Sequence, residues 1–195
     1  MGTGFRSENF DGNIVMKIET LELLQKLQKK FGIKGTPSGP FGKIVQKLLA
    51  LSFHEMGFTN IVERGVQGVD IDITSKSNQK FAFEVKTTEK LSIPLTIDNV
   101  QALRDRTHDG YQPVIAVLRL APLENWILAE IQMDKIPTGE ILIESLRPYR
   151  MKDLESQLCP KFDIVVRKHF KGVWNRGEQY LKEHLRKVGI MARDY

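Results

Sequence analysis

The sequence is poor in the residues on which several common classes of protein depend. It contains a single cysteine, Cys159, so it can form neither a disulfide framework nor a zinc site built on cysteines. Its four histidines are scattered and lack the spacing of metal ligands. No apolar run approaches the ~18 residues that span a bilayer, and the N-terminal segment MGTGFRSENF lacks the apolar stretch of a signal peptide. These absences predict a soluble cytoplasmic protein with no membrane partner.

A nucleotide cofactor is not expected either. Residues 35–40 (GTPSGP) are rich in glycine and proline, which interrupt helices, and they are followed by Gly42-Lys43, as at the end of a phosphate-binding loop. The full motif also requires glycine at position 37 and serine or threonine at position 44. The chain has Pro37 and Ile44 at these positions, so the loop lacks the residues that would hold a nucleotide phosphate.

The excess of positive charge lies at one end of the chain. The 195 residues carry a net charge of +5, and 41% of them are hydrophobic, which suits one compact core. Residues 161–195 hold nine Lys and Arg against four Asp and Glu, whereas the two signs balance over residues 1–160. Such a segment is typical of a polyanion-binding surface, and equally of a solvated helical face.

Hydrophobic periodicity predicts both helices and strands. The predicted helices cover residues 17–31, 41–56, 96–107 and 173–188. The predicted strands cover residues 68–74, 80–88, 113–120 and 125–131. The first two strands form a hairpin, and the third is apolar throughout, as in a central strand buried on both faces. A hairpin followed by a helix and a buried strand implies an α/β fold with a mixed sheet.

The hairpin carries four ionisable side chains on one face, namely Asp70, Asp72, Glu84 and Lys86. A turn centred near Ser77 places Asp70 opposite Glu84, and a register shifted by two residues places Asp72 there instead. Either register brings two carboxylates to roughly 5 Å at their Cβ atoms. Facing carboxylates repel unless a cation lies between them, and Mg²⁺ prefers such oxygen ligands. Lys86 would then orient a metal-bound water or neutralise charge on a phosphate.

This pattern resembles the PD-(D/E)xK nuclease superfamily. The resemblance is carried by FGKIVQKLLALSFHEMGF, GVDIDI and FEVKTT, and by the helix and strand over residues 96–120. It covers roughly residues 41–131 and is nearest to archaeal Holliday-junction resolvases and Mrr-like restriction endonucleases, whose helix also ends in Gly-Phe or Gly-Tyr before the acidic strand. The resemblance implies a restriction-endonuclease-like mixed β-sheet core flanked by helices, with N- and C-terminal helical additions. The expected division is a helical extension over 1–40, a nuclease core over 41–135 and a basic, mainly helical extension over 136–195.

The resemblance also assigns roles to the hairpin residues. The first acid of the motif falls on Asp70 or Asp72, with Asp70 favoured because it follows Gly-Val where the family has a proline or an apolar residue. The second acid falls on Glu84, and the backbone carbonyl of Val85 would join Asp70 and Glu84 as a metal ligand. The motif lysine falls on Lys86. The implied cofactor is Mg²⁺, or Mn²⁺ in its place.

One position departs from the family pattern. Family members often carry a further Glu eleven residues before the glycine of Gly-Phe, and that position is Gln46 here. Gln46 would bind a water or orient Glu84, and it fits equally well as a polar residue at the border of the apolar stripe. The substitution weakens the case for a second, fully acidic metal site.

The implied function is that of a Mg²⁺-dependent DNA endonuclease of restriction or resolvase type. Cutting both strands needs two active sites, which predicts a homodimer. The expected DNA-binding residues are Arg167, Lys168, Lys171, Arg176, Lys182, Arg186 and Lys187. The spacing of Trp174, Leu181 and Leu185 predicts a core-facing helical stripe. The alternatives are a catalytically inactive nucleic-acid-binding module with the nuclease fold, and a structural α/β domain whose charged hairpin is a salt-bridge cluster.

Overall fold

The computed structural model describes residues 16–32, 39–64, 68–120, 125–132 and 138–193. The helices are α1 (Ile18–Phe31), α2 (Pro40–Glu55), α3 (Ile97–His108), α4 (Lys152–Arg176) and α5 (Glu178–Lys187). The strands are β1 (Thr59–Arg64), β2 (Ile71–Thr74), β3 (Lys80–Thr88), β4 (Ser92–Leu95), β5 (Gln112–Arg119), β6 (Trp126–Glu130), β7 (Gly139–Leu142) and β8 (Met191–Arg193). A 3₁₀ helix covers Ile143–Tyr149. None of the described helices is both long enough and apolar enough to cross a membrane.

Six strands form one mixed sheet in the order β6-β5-β3-β2-β1-β8. The β3–β5 and β1–β8 pairs are parallel, and the other pairs are antiparallel. One face of the sheet packs against α1, α2, α4 and α5. The other face packs against α3 and a separate two-stranded sheet formed by β4 and β7. The continuous apolar run of β5 is explained by this layering, because its alternate side chains enter the two separate cores.

The predicted fold class is confirmed. The architecture is a mixed α/β sheet flanked by helices, with helical additions before and after it, and it is consistent with a restriction-endonuclease-like fold. The division into segments at residues 40 and 135 stays a prediction. Residues 1–15 of the predicted N-terminal extension and residues 33–38 of the predicted loop lie outside the described part of the chain.

The predicted C-terminal helix over 173–188 is wrong in its extent. Helix α4 runs on to Arg176, and Gly177 then adopts φ 59° and ψ −147°, a conformation that essentially only glycine tolerates. This residue ends α4 and starts α5. Leu181 and Leu185 are buried as predicted, but Trp174 is 38% exposed, because it lies on the last turn of α4 before the break.

Candidate active site

The register of the hairpin places Asp70 opposite Glu84. Strands β2 and β3 pair Ile71 with Phe83 and Asp72 with Ala82. Extended by one residue, this register sets Asp70 against Glu84, although the backbone N–H of Asp70 donates to the carbonyl of Phe83 at 2.9 Å, one residue from its regular partner. The first of the two registers expected from the sequence is therefore the one that the structure contains.

The Asp70 carboxylate lies beside β3 and is only partly exposed. Its Oδ2 accepts a hydrogen bond from the backbone N–H of Val85 at 2.8 Å. Burial raises the pKa of Asp70, while the Val85 N–H and the charges of Lys43 and Lys86 act in the opposite direction. The Asp70 carboxylate is thus held in place, but its negative charge is not fully compensated by the described residues.

The Glu84 carboxylate is almost completely buried. Its Oε1 accepts from Lys86 Nζ at 2.9 Å, and its Oε2 has no hydrogen-bond partner among the described residues. Burial and the charge of Asp70 raise the pKa of Glu84 to about 7, against the opposing effect of Lys86. A buried carboxylate oxygen without a partner is costly, so this atom marks a position where a proton or a cation would be stabilised.

Lys86 is oriented by two elements. Its Nζ contacts Glu84 on its own strand and donates to Asn99 Oδ1 on α3 at 3.1 Å. Asn99 belongs to the capping box of α3, in which its side chain accepts from the backbone N–H of Thr96 and Thr96 Oγ1 accepts from the backbone N–H of Asn99. The predicted helix over 96–107 begins at Thr96, but its sequence does not identify Asn99 as a neighbour of the site. The Thr-x-x-Asn spacing is the signal that could have indicated it.

Gln46 lies next to the site and donates a hydrogen bond to the backbone of Asp70. Among the described residues it makes no hydrogen bond with Glu84, so the expectation that it orients Glu84 is wrong. Its Nε2 donates to the carbonyl of Asp70 at 3.1 Å, to the carbonyl of Arg64 at 2.7 Å and to Glu63 Oε1 at 2.7 Å. Glu63 is fully buried and is paired with the equally buried Lys47 at 2.7 Å. Burial raises the pKa of Glu63, and Lys47 opposes the rise. Gln46 therefore links the end of β1 to the start of β2.

Asp72 has ion-pair partners different from those of Asp70 and Glu84. Its carboxylate is fully buried, and its Oδ2 accepts from Arg64 and from Arg106, each at 2.6 Å. Arg106 also donates its Nε to Oδ1 of Asp72 at 3.1 Å and lies over the ring of Tyr111. The structure thus brings Asp70, Glu84 and Lys86 together and gives Asp72 two guanidinium partners of its own.

The predicted DNA-binding cations lie on α4 and α5, and several of them have carboxylate partners. The pairs are Arg167 with Glu19, Lys168 with Glu55, Arg176 with Glu183 and Lys182 with Glu178. Lys171, Arg186 and Lys187 are exposed and make no ion pair with the described residues.

The donor set of the site fits a hard divalent cation. In the part of the chain that the structure describes, no three or more His, Cys, Asp or Glu side chains are grouped so as to hold a metal ion. Asp70 and Glu84 nevertheless offer two carboxylates, one with an unpartnered buried oxygen, beside the backbone of Val85. Mg²⁺ commonly takes one or two carboxylates and completes its shell with water and substrate phosphate. Asp70, Glu84 and the Val85 carbonyl are the groups that would hold it.

Comparison with solved structures finds a likeness of fold. No family model and no curated protein matches the chain. The chain is similar to the solved structure of Hjc, a Holliday junction resolvase from the archaeal hyperthermophile Archaeoglobus fulgidus. The identity is 23% and the TM-score 0.45, over 56% of this chain and 93% of that one.

Proposed function

We propose that this chain is a metal-dependent DNA endonuclease of the PD-(D/E)xK type. The observation that carries the proposal is the arrangement of Asp70, Glu84 and Lys86, in which two carboxylates face each other across the hairpin and the lysine contacts the second. The unpartnered Glu84 Oε2 and the raised pKa values of both acids are what a cation site without its cation would show.

The chemistry proposed is hydrolysis of a phosphodiester, in which water attacks phosphorus and one P–O bond of the backbone breaks. A bound Mg²⁺ or Mn²⁺ would supply Lewis acidity and lower the pKa of a coordinated water. Asp70 and Glu84 would fix the position of that ion relative to β3. Lys86, held by Glu84 and Asn99, would stabilise negative charge that develops on the phosphate oxygens.

The finer features of the proposal are the substrate and the assembly. DNA is proposed as the substrate because exposed cations of α4 and α5 can contact phosphates without regard to sequence. A resolvase or restriction activity needs cuts in two strands, so we propose a homodimer with one active site in each copy. Light scattering of the purified protein, with and without duplex, measures this assembly.

Cleavage assays test the function directly. Linear, supercoiled and four-way-junction DNA are incubated with the protein in Mg²⁺, in Mn²⁺ and in EDTA. We expect metal-dependent cleavage by the unaltered protein and its loss in Glu84→Gln and in Lys86→Ala. Glu89→Gln and Lys152→Ala, which change the same residue types at exposed positions outside the site, serve as matched controls.

Three outcomes would contradict the proposal. Cleavage by both site variants at the rate of the controls would remove Glu84 and Lys86 from the mechanism. DNA binding without cleavage under any metal would favour an inactive binding module, an alternative for which the replacement of the family's helix Glu by Gln46 is the supporting observation. Absence of both binding and cleavage would favour a structural α/β domain.

A further inference from the structure

Lys43 is a second lysine at the candidate site, and it comes from α2 and not from the hairpin. Its Nζ lies 4.0 Å from Asp70 Oδ1, whereas Lys86 contacts Glu84. Its positive charge lowers the pKa of both Asp70 and Glu84, so its field reaches both carboxylates. Each acid of the site is thus accompanied by one ammonium group.

The contacts of Lys43 are long compared with those of Lys86. A charge-assisted N–H···O bond is about 2.7–2.9 Å long, whereas Lys43 Nζ is 4.0 Å from Asp70 Oδ1 and 3.4 Å from Gln46 Oε1. Lys86 is 2.9 Å from Glu84 and 3.1 Å from Asn99. Lys86 is therefore committed to protein partners, whereas Lys43 makes only these two long contacts within the described part of the chain, and its side chain is 28% exposed.

The position of Lys43 in its helix also points to an anionic ligand. It is the fourth residue of α2, whose first turn contains no acidic residue. A cation close to the N-terminus of a helix adds to the positive end of the helix dipole, which is unfavourable by itself. Helix dipole and ammonium together raise the positive potential beside Asp70, at the place where a phosphate would approach.

We propose that Lys43 binds a non-bridging oxygen of the phosphate that is cleaved, at the position beside Asp70. This inference rests on the proposed nuclease function. The charges of Asp70 and Glu84 are matched by those of the two lysines, so a bound divalent ion would leave two positive charges uncompensated. The pentacoordinate phosphorus of the transition state carries two negative charges, one more than the ground-state diester, and Lys43 completes the match.

The test compares Lys43→Ala and Lys43→Arg with the control Lys152→Ala. Lys152 is exposed at the start of α4, near the N-terminal ends of β3 and β5 and away from Glu84 and Lys86. We expect Lys43→Ala to lower kcat/KM for duplex cleavage about 100-fold, as for loss of one donor to a transition-state oxyanion. Lys43→Arg, which keeps the charge, is expected to recover part of that loss, and Lys152→Ala to cleave normally.

A second readout needs no cleavage. Duplex affinity is measured in EDTA over a range of salt concentrations, where each phosphate contact contributes about 0.9 to the slope of log K against log salt. We expect Lys43→Ala to reduce that slope by about one contact and Lys152→Ala to leave it unchanged. Thermal unfolding of each variant separates these effects from a loss of fold.

The outcomes distinguish the inference from the function on which it rests. If Lys43→Ala cleaves like the unaltered protein and keeps the salt slope while Lys86→Ala is inactive, Lys43 is no phosphate ligand and the nuclease proposal stands. If no DNA is cleaved by the unaltered protein but Lys43→Ala still loses one contact, the phosphate ligand stands and the nuclease proposal fails. Absence of cleavage together with an unchanged slope would contradict both.

Discussion

At the scale of single residues, Asp70 and Asp72 are two positions apart but have different surroundings. Asp72 is fully buried between two guanidinium groups, from Arg64 and Arg106. Asp70 has a backbone N–H donor and distant lysines, and burial raises its pKa. The sequence places both acids on one face of the hairpin. It does not show that Asp72 is paired with arginines and Asp70 is not, because those pairs depend on the fold around β1 and on the position of α3.

This difference predicts opposite effects of two matched substitutions. Asp72→Asn leaves two arginines without their carboxylate, so we expect it to lower the free energy of unfolding by about 3 kcal/mol. Asp70→Asn removes a buried charge, so in EDTA at pH 8 it should leave stability unchanged or raise it, while it abolishes metal-dependent cleavage. Urea denaturation of both variants measures the effect. Equal destabilisation by the two substitutions would contradict this assignment.

The raised pKa of Glu84 predicts how stability depends on pH. The pKa is about 7 in the folded protein against 4.5 as the ordinary value. Between these two pH values the folded state binds more protons than the unfolded state, so stability falls as pH rises from about 4.5 to about 7. The contribution of Glu84 to this fall is at most about 3 kcal/mol.

Glu84→Gln isolates this contribution. In EDTA, the variant should gain stability relative to the unaltered protein as pH rises through this window, and saturating Mg²⁺ should reduce the difference. Thermal or urea unfolding at pH 5, 6, 7 and 8 measures it. Parallel curves for the two proteins in EDTA would show that Glu84 ionises as an ordinary exposed carboxylate does.

At the scale of elements, the sequence predicts a helix or strand correctly where a strong local pattern determines it. The alternation of β3 predicts Lys80–Thr88 at its full length, and Thr96 marks the start of α3. The apolar run of β5 predicts its central position, which the structure confirms between β3 and β6. Each of these elements combines periodicity with a recognisable end, so tertiary contacts were not needed to identify it.

Four short strands were not predicted, namely β1, β4, β7 and β8, and three of them have a clear physical reason. Strand β1 contains Asn60 at φ 49° and an irregular register with β2, which interrupts its alternation. Strand β4 has only four residues and contains Pro94, which suits its place in a two-stranded sheet. Strand β8 has three residues and forms by pairing with β1. Glu63 and its partner Lys47 were missed for the same reason, since their contact depends on β1.

The contact between α4 and α5 gives a prediction at this scale. A Cβ added to Gly172 of α4 would lie 2.3 Å from the ring of Tyr180 of α5. That ring is held by a 3.1 Å hydrogen bond to His169 and is stacked on His184. We expect Gly172→Ala to lower the free energy of unfolding by about 1–2 kcal/mol, because overpacking outweighs the gain in helix propensity.

A double-mutant cycle with Tyr180→Ala tests the cause. Once the ring is removed, Gly172→Ala should no longer destabilise and should add up to about 1 kcal/mol through helix propensity. Chemical denaturation of the two single variants and the double variant measures the coupling. If Gly172→Ala costs the same with and without Tyr180, helix packing through this ring is not the reason for the glycine.

At the scale of the whole molecule, the basic C-terminal segment belongs to the core. Helices α4 and α5 bury apolar side chains in the same cluster as α1, α2 and one face of the sheet, and β8 forms an edge strand of that sheet. Lys47, buried in α2, also pairs with Glu178 at the start of α5 at 3.0 Å. Removal of residues 161–195 would expose much of this cluster, so the role of the segment must be tested by substitution.

The charge of the segment is partly neutralised within the fold. Arg167, Lys168 and Arg176 each lie against a carboxylate. No such partner among the described residues is found for Lys171, Arg186 or Lys187. A cation that already has a carboxylate neighbour gains less from a phosphate, because that contact must replace an existing one. The net charge of the segment therefore overstates the number of phosphates that it can bind.

Two triple substitutions of equal charge separate these sets. Lys171→Ala, Arg186→Ala and Lys187→Ala together should weaken duplex binding in EDTA and reduce the slope of log K against log salt by up to about 3. Arg167→Ala, Lys168→Ala and Arg176→Ala together remove the same charge but should reduce the slope by less. These three cations already have carboxylate partners, so fewer phosphate contacts are lost when they are removed. Titrations at several salt concentrations measure both slopes, with thermal unfolding as the check on fold. If neither triple variant changes the slope, these six cations of α4 and α5 do not contact DNA.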